Sequence, residues 1–342
     1  MNYKLTIPGG ITSGLSHFAL AGLSLIARSI TDQRVVTYWS QDPTPKGTLE
    51  MEDVTLNQLA QQIQQTAKRW SEGWCSARVT NSGGEFSPFS PRFKKIDSTK
   101  HPEDWADYQN TRVKHLDCLF QQGDHLALQF IESLGEAAYW NAPDDDPDKG
   151  ASRLDMVTRN AGKEFVKTKV YDFTTELAGW ENADILAGIS GKKICDPNAK
   201  GKSLSRTPSG FTPPGTTDLA LAFAALIGIG QFAISHRTQG LSITPICYPA
   251  SSSSPKFAML PISTSGMTPE RFESVVLSAE WAAAIAELGL LFSSNSGIRI
   301  LSAETSTTLK QLGLTAVAVF RIHYTPVKVP ERYFEKGMVQ LL

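Results

Sequence analysis

The stretch that decides the fold is Thr216-Thr217-Asp218-Leu219-Ala220-Leu221-Ala222-Phe223-Ala224-Ala225-Leu226-Ile227-Gly228-Ile229-Gly230-Gln231-Phe232-Ala233-Ile234, the longest apolar run of the chain. Its 16 residues from Leu219 to Ile234 fall short of the roughly 18 to 20 that cross a bilayer. Gly228, Gly230 and Gln231 interrupt it. It reads as a helix opened by Thr217 and Asp218 and buried inside a packed body. Outward from it, strand-like pieces at Leu241–Tyr248 and Lys256–Ile262 flank a Ser251-Ser252-Ser253-Ser254-Pro255 turn. Thr268 and Pro269 start a helix that continues to about Leu290. Thr315–Tyr324 alternates as a strand should, with Ala316, Ala318, Phe320, Ile322 and Tyr324 on one side.

Toward the N-terminus, a second apolar segment, Ser13–Ser29, has small or apolar residues on nearly every face and is a helix covered on several sides. Val35–Trp39 and Thr48–Met51 read as two strands joined across Asp42-Pro43-Thr44-Pro45-Lys46-Gly47. The spacing Thr55-x-x-Gln58 is that of a capping box. Leu56, Leu59, Ile63, Ala67 and Trp70 then fall on one helical stripe. Periodicity vanishes over 81–100 and returns in a helix with Pro102 in its first turn, carrying Trp105, Tyr108, Val113, Leu116 and Phe120. Asp144, Asp145, Asp146 and Asp148 form a solvated turn and an internal boundary. Residues 182–215 have no usable period and read as a functional loop. The fold class is α+β, with mixed sheets and several buried helices, and not doubly wound. Two domains are expected, an N-terminal α+β domain over 1–150 and a C-terminal one over 151–342.

The chain has 342 residues, 41% hydrophobic, with 33 basic and 34 acidic side chains and a formal charge of −1. That balance argues against a free-standing DNA-binding domain, so any nucleic-acid contact is a local patch. Cys75, Cys118, Cys195 and Cys247 lack the paired spacing of a zinc site or redox dithiol, which points to a reducing, cytoplasmic setting. The first residues lack the pattern of a secretory signal. No phosphate loop, dinucleotide fingerprint, zinc-protease helix or nucleophile elbow is present. Gly188-Ile189-Ser190-Gly191-Lys192-Lys193 has too short a spacing for a nucleotide loop. His115, Cys118 and His125 lack a fourth ligand, and His17 and His323 read as hydrogen-bonded core histidines. No catalytic residue, metal site or cofactor is assigned.

Positive charge coincides with missing periodicity in three places. Between Ile185 and Gly215 lie Lys192, Lys193, Lys200, Lys202 and Arg206 against Asp196 alone, interspersed with serines and glycines that approach phosphates closely. Asn81 and Ser82 precede Ser90-Pro91-Arg92-Phe93-Lys94-Lys95. A third patch holds Arg153, Arg159, Asn160, Lys163, Lys167 and Lys169, with Phe165 and Tyr171 nearby. Together they point to a phosphate-bearing partner.

Ile7-Pro8-Gly9-Gly10 followed by His17-Phe18-Ala19-Leu20-Ala21-Gly22-Leu23-Ser24-Leu25 resembles the start of large-subunit proteins of type I CRISPR effector (Cascade) complexes. Thr216–Leu221 with Ala225–Phe232, and the strand ending near Tyr248, resemble the apolar helix and hairpin of the shorter variants of that family. The resemblance covers about 60 residues. It implies a non-catalytic subunit that binds the 5′ handle of the crRNA, reads the PAM flanking double-stranded target DNA and helps open the duplex, a division of labour with a general physical rationale. The implied partners are crRNA, target DNA, the backbone and handle-binding subunits, and a recruited helicase-nuclease or transposition protein, with no membrane. On that reading Lys192, Lys193, Lys200, Lys202 and Arg206 grip phosphates, and Asn81, Ser82, Arg92, Lys94 and Lys95 contact the RNA handle or groove edges. Family members commonly end in a helical bundle, whereas the C-terminal 75 residues here offer one helix and then strand-like alternation. Two other readings stand beside it. One is a metal-dependent nuclease or hydrolase using Asp144, Asp146, Asp155 or Asp172. The other is a structural adaptor packing through its apolar helices.

Overall fold

The computed structural model describes residues 1–81, 84–92, 96, 100–137, 147–156, 164–197, 207–294, 300–324 and 332–342. The chain begins with β1 (Asn2–Thr6), α1 (Gly14–Arg28), β2 (Val35–Trp39), β3 (Gly47–Glu52) and α2 (Leu56–Glu72). β3 lies between β1 and β2 and is antiparallel to both, with Leu49 opposite Leu5 on one side and Thr37 on the other. β1 and β2 are therefore parallel to each other and joined by α1, a split β-α-β unit. Ser13 caps α1, accepting from the Ser16 N–H at 3.3 Å. The expected capping box of α2 is formed, with the Thr55 hydroxyl accepting from the Gln58 N–H at 3.2 Å and the Gln58 carboxamide accepting from the Thr55 N–H at 2.9 Å.

A short hairpin, β4 (Val79–Asn81) and β5 (Gly84–Phe86), occupies the start of the stretch expected to be loop. Then come α3 (Pro102–Gln121), α4 (His125–Leu134), a π-helical turn at Phe165–Val170 running into α5 (Tyr171–Leu177), and α6 (Asn182–Ile189). The presence of α6 corrects the expectation that 182–215 lacks periodic structure. Its eight residues are too few to display a stripe. α7 (Leu219–Ile227) is buried on every face and capped by Asp218, but it is shorter than the sequence predicts. It gives way to a 3-10 turn at Gly228–Gln231, where the Gly228 Cα lies against the Phe18 carbonyl.

Of the strand predicted over Leu241–Tyr248 only β6 (Cys247–Tyr248) forms; β7 (Phe257–Ile262) follows as expected. The single helix predicted from Thr268 is two, α8 (Pro269–Val276) and α9 (Ala279–Ser293), bent by 59°. Ser278 breaks the run by accepting from the Trp281 N–H at 3.1 Å, which starts α9 anew. The chain closes with α10 (Ala303–Gln311), β8 (Ala316–Tyr324), β9 (Arg332–Phe334) and β10 (Met338–Leu341). The second sheet runs β10-β8-β7-β6, with β9 on the far end of β8. Ala316–Phe320 of β8 are buried on both faces, so the one-sided alternation read from the sequence does not appear there, and beyond Phe320 the strand runs out to the surface with Tyr324 exposed.

The two sheets are linked just past β7, where Thr37 and Met267 exchange backbone hydrogen bonds at 2.9 and 3.0 Å and the Trp39 N–H donates to the Ser263 carbonyl at 2.9 Å. Among the described residues the main hydrophobic core runs from Leu5 to Phe334, and a second, smaller cluster holds Val79, Phe86, Ile96, Tyr108 and Ala137. Ala151 and Leu154, beside the boundary expected at 150, are fully buried. α1 lies against α7 with backbone nearly touching backbone, and a Cβ on Gly22 would fall 1.8 Å from the Ala224 carbonyl oxygen. The α+β class holds, in small antiparallel sheets. No single helix among the described residues is long and apolar enough to cross a membrane.

Candidate nucleic-acid interface

The alternation Ser152-Arg153-Leu154-Asp155-Met156 places charged side chains inside the molecule. Arg153 and Arg332 expose 1% and 5% of their surface, and Asp148 and Asp155 are buried as well. Such groups survive burial only when paired. The Arg92 guanidinium reaches Asp155 at 2.9 Å and Asp148 at 3.1 Å, and donates to the Ser152 carbonyl at 3.0 Å. Arg153 reaches the Asp148 carboxylate at 3.3 Å and its carbonyl at 2.8 Å. Arg332 donates to the Ser253 carbonyl at 3.0 Å and the Ser254 hydroxyl at 3.2 Å. Burial pushes the Asp155 carboxyl above its ordinary range, with Arg92 and Arg332 pulling it back. Burial and the like charge of Arg92 lower both the Arg153 and the Arg332 pKa.

This cluster sits where four stretches of chain meet. Arg92 precedes 93–95, Met156 precedes 157–163, and Arg332 follows 325–331. Gly210, in the chain that follows 206, lies at the same place. That residue has φ +86°, and a Cβ on it would lie 2.3 Å from the Met156 Cβ and 3.4 Å from the Arg332 carbonyl oxygen. Phe334 donates its N–H to the Gly210 carbonyl at 2.9 Å. Phe211 stacks on Phe18 at 3.8 Å and lies 5.5 Å from Phe334, so the chain after 206 and the chain after 331 are fixed in one aromatic group. The far side of 157–163 is held by Glu164, which accepts from the Ser87 N–H at 2.8 Å and the Lys167 N–H at 3.3 Å.

The sequence-predicted site residues divide accordingly. Arg92 is corrected from an RNA contact to a buried anchor, because its guanidinium is committed to Asp148 and Asp155. Arg153 is likewise interior. Asp148 leaves the solvated turn assigned to it, and Lys167 is engaged with Glu85 at 2.8 Å. Lys192 and Lys193 are exposed just past α6, and the hydrogen bond from Lys193 to Asp184 at 2.7 Å raises its pKa. The Asn81 backbone closes the β4–β5 hairpin. Ser82, Lys94, Lys95, Arg159, Asn160, Lys163, Lys200, Lys202 and Arg206 lie outside the described residues, as do Asp144 and Asp146. Sequence reasoning missed Arg332, Asp148 and Glu164 as anchors. For Arg332, the two aromatics that follow it in Arg332-Tyr333-Phe334 were the available signal.

Asp155, named for the hydrolase alternative, is ion-paired with Arg92, and Asp172 is exposed in the first turn of α5. Among the described residues no group of three or more His, Cys, Asp or Glu side chains is placed to hold a metal ion. Of the two core histidines the sequence predicts, His323 is half-exposed at the end of β8 with its Nδ1 3.1 Å from the Glu335 carboxylate, and His17 is in the core. Its Nε2 donates to the Ile11 carbonyl at 2.8 Å, its ring lies 4.4 Å from Trp39, and burial lowers its pKa to about 4. No protein-family model, curated protein or solved structure matches the chain.

Proposed function

We propose that the chain is a non-catalytic nucleic-acid-binding subunit of a crRNA-guided complex of the type I CRISPR effector kind, working in the cytoplasm. It would bind the guide 5′ handle and the PAM-bearing duplex alongside the backbone and handle-binding subunits. The observation that carries the reading is the convergence of four chain segments on one buried Arg–Asp cluster. Those segments contain Lys94, Lys95, Arg159, Lys163, Lys200, Lys202, Arg206 and Lys328 against Glu331, and the stretch 138–146 that leads to Asp148 adds Asp144, Asp145 and Asp146, so basic residues remain in excess. A near-neutral protein that gathers the origins of its most basic segments concentrates positive charge locally, which polyanion binding requires. Serines, Asn160 and glycines among the lysines add donors that meet phosphate oxygens and groove edges.

The test replaces Lys200, Lys202 and Arg206 with Ala and follows target-duplex binding against salt. Binding should weaken and the log–log salt slope should become shallower by about 2 to 3, one counterion per lost phosphate contact. Unchanged affinity and slope would remove these residues from the interface. Co-expression with a crRNA locus supplies a second measurement, and a short RNA of uniform length should accompany the purified protein. Copurification of no RNA together with salt-independent DNA binding would sink the assignment.

A further inference from the structure

α3 turns Tyr108, Arg112 and Leu119 inward, leaves Leu116 half-buried against the core, and has Val113 and Phe120 on its outer side. Phe120 is 69% exposed and Val113 50%, a degree of exposure that large apolar side chains of a closed surface seldom share on one helix. Beside them a groove opens between α3 and α4, floored by Leu116, Leu128 and Ile131 and edged by Phe120. Its rim is acidic, with Asp117, Glu132 and Glu136. Arg112, the guanidinium within it, is buried and taken by the Pro88 carbonyl at 3.0 Å and by Glu136 at 3.6 Å. His236 closes one end, its Nδ1 3.1 Å from the Ser242 hydroxyl.

We propose that this groove is a docking site for a basic amphipathic helix of a partner protein. An apolar lining contributed by Leu116, Phe120, Leu128 and Ile131 of two helices suits the apolar face of a helix laid into it. Carboxylates along the rim then select lysine or arginine on the flanks of that helix, and they repel phosphates, which separates this surface from any nucleic-acid site. The charge of the rim is the reason for assigning a cationic protein segment rather than a nucleic acid or an acidic one.

The experiment uses the full chain and a fluorescein-labelled 14-residue helical peptide of leucine and lysine with its apolar residues on one face, beside a leucine–glutamate counterpart. The lysine peptide should bind, and the glutamate peptide should bind at least about tenfold more weakly. Phe120→Ser should cost about tenfold in affinity, as loss of an exposed aromatic anchor does. Asp117→Lys with Glu132→Lys should weaken binding and flatten its salt dependence, while Lys192→Ala with Lys193→Ala should leave it unchanged. Because Phe120 is largely exposed, its variant should keep the wild-type melting temperature. A second readout is an environment-sensitive fluorophore on the exposed Cys118, next to Asp117, in a Cys195→Ser background, whose emission should shift to the blue when the lysine peptide binds. Equal affinity for the wild type and the groove variants, or no emission shift, would overturn the proposal. So would a self-dimer that Phe120→Ser dissociates, since this outcome assigns the groove to a second copy.

Discussion

At the level of single residues, His17 and Arg92 are accommodated in the interior in different ways. His17 is held neutral because nothing anionic offsets its desolvation. Its folded-state pKa of about 4 lies below the unfolded value of 6.5, so the unfolded chain takes up a proton first. Stability is therefore complete above pH 6.5 and lost as the pH falls toward 4, by on the order of 3 kcal/mol in all. Urea titrations of wild type and His17→Gln at pH 7 and pH 5 should show a smaller loss in the variant. Arg92 is ion-paired with two carboxylates. Arg92→Ala would leave Asp148 and Asp155 with less compensation, and should lower stability by roughly 3–5 kcal/mol in the same titration at pH 7. The role of His17 was legible because a lone histidine in an apolar helix has few other outcomes. That of Arg92 was not, because its partners lie 56 and 63 residues away in sequence and no local pattern announces them.

Among the elements, those read correctly carry their own signals. α2 has a capping box and an uninterrupted stripe, and Thr55→Ala should lower the stability of the protein by about 1 kcal/mol. α1 and α7 were legible as buried helices from composition alone, though their mutual approach was not. Gly22→Ala should cost about 3 kcal/mol in a denaturant titration, because the added methyl meets the backbone of α7 rather than a side chain able to move. The missed boundaries share one cause. α7 ends early because Gly228 must fit against α1, and α8 and α9 part because Ser278 caps a helix inside a run that reads as continuous. Both are local choices settled by neighbours distant in sequence.

Across the whole molecule, the three basic patches recognised in the sequence separate into anchors and projections. Arg92 and Arg153 are interior ion-pair partners, and Lys192 and Lys193 reach the surface. The surrounding charge was readable as composition, whereas the gathering of its origins around Arg332 and Asp155 is a property of the tertiary fold. This division predicts that Lys192→Ala and Lys193→Ala leave the melting temperature within about 2 °C of wild type, while Arg332→Ala, at the cluster, lowers it markedly in a thermal scan.

The pairing of β2 with the chain at Ser263 and Met267, together with the seating of α1 on α7, sets a timetable for synthesis. The first strands leave the ribosome more than 200 residues before the partners that complete their packing. Until then α1 is an uncovered apolar helix that chaperones would have to shield. Cutting the gene between these regions should give an N-terminal fragment that aggregates when expressed alone and regains solubility only when the second fragment is made in the same cell.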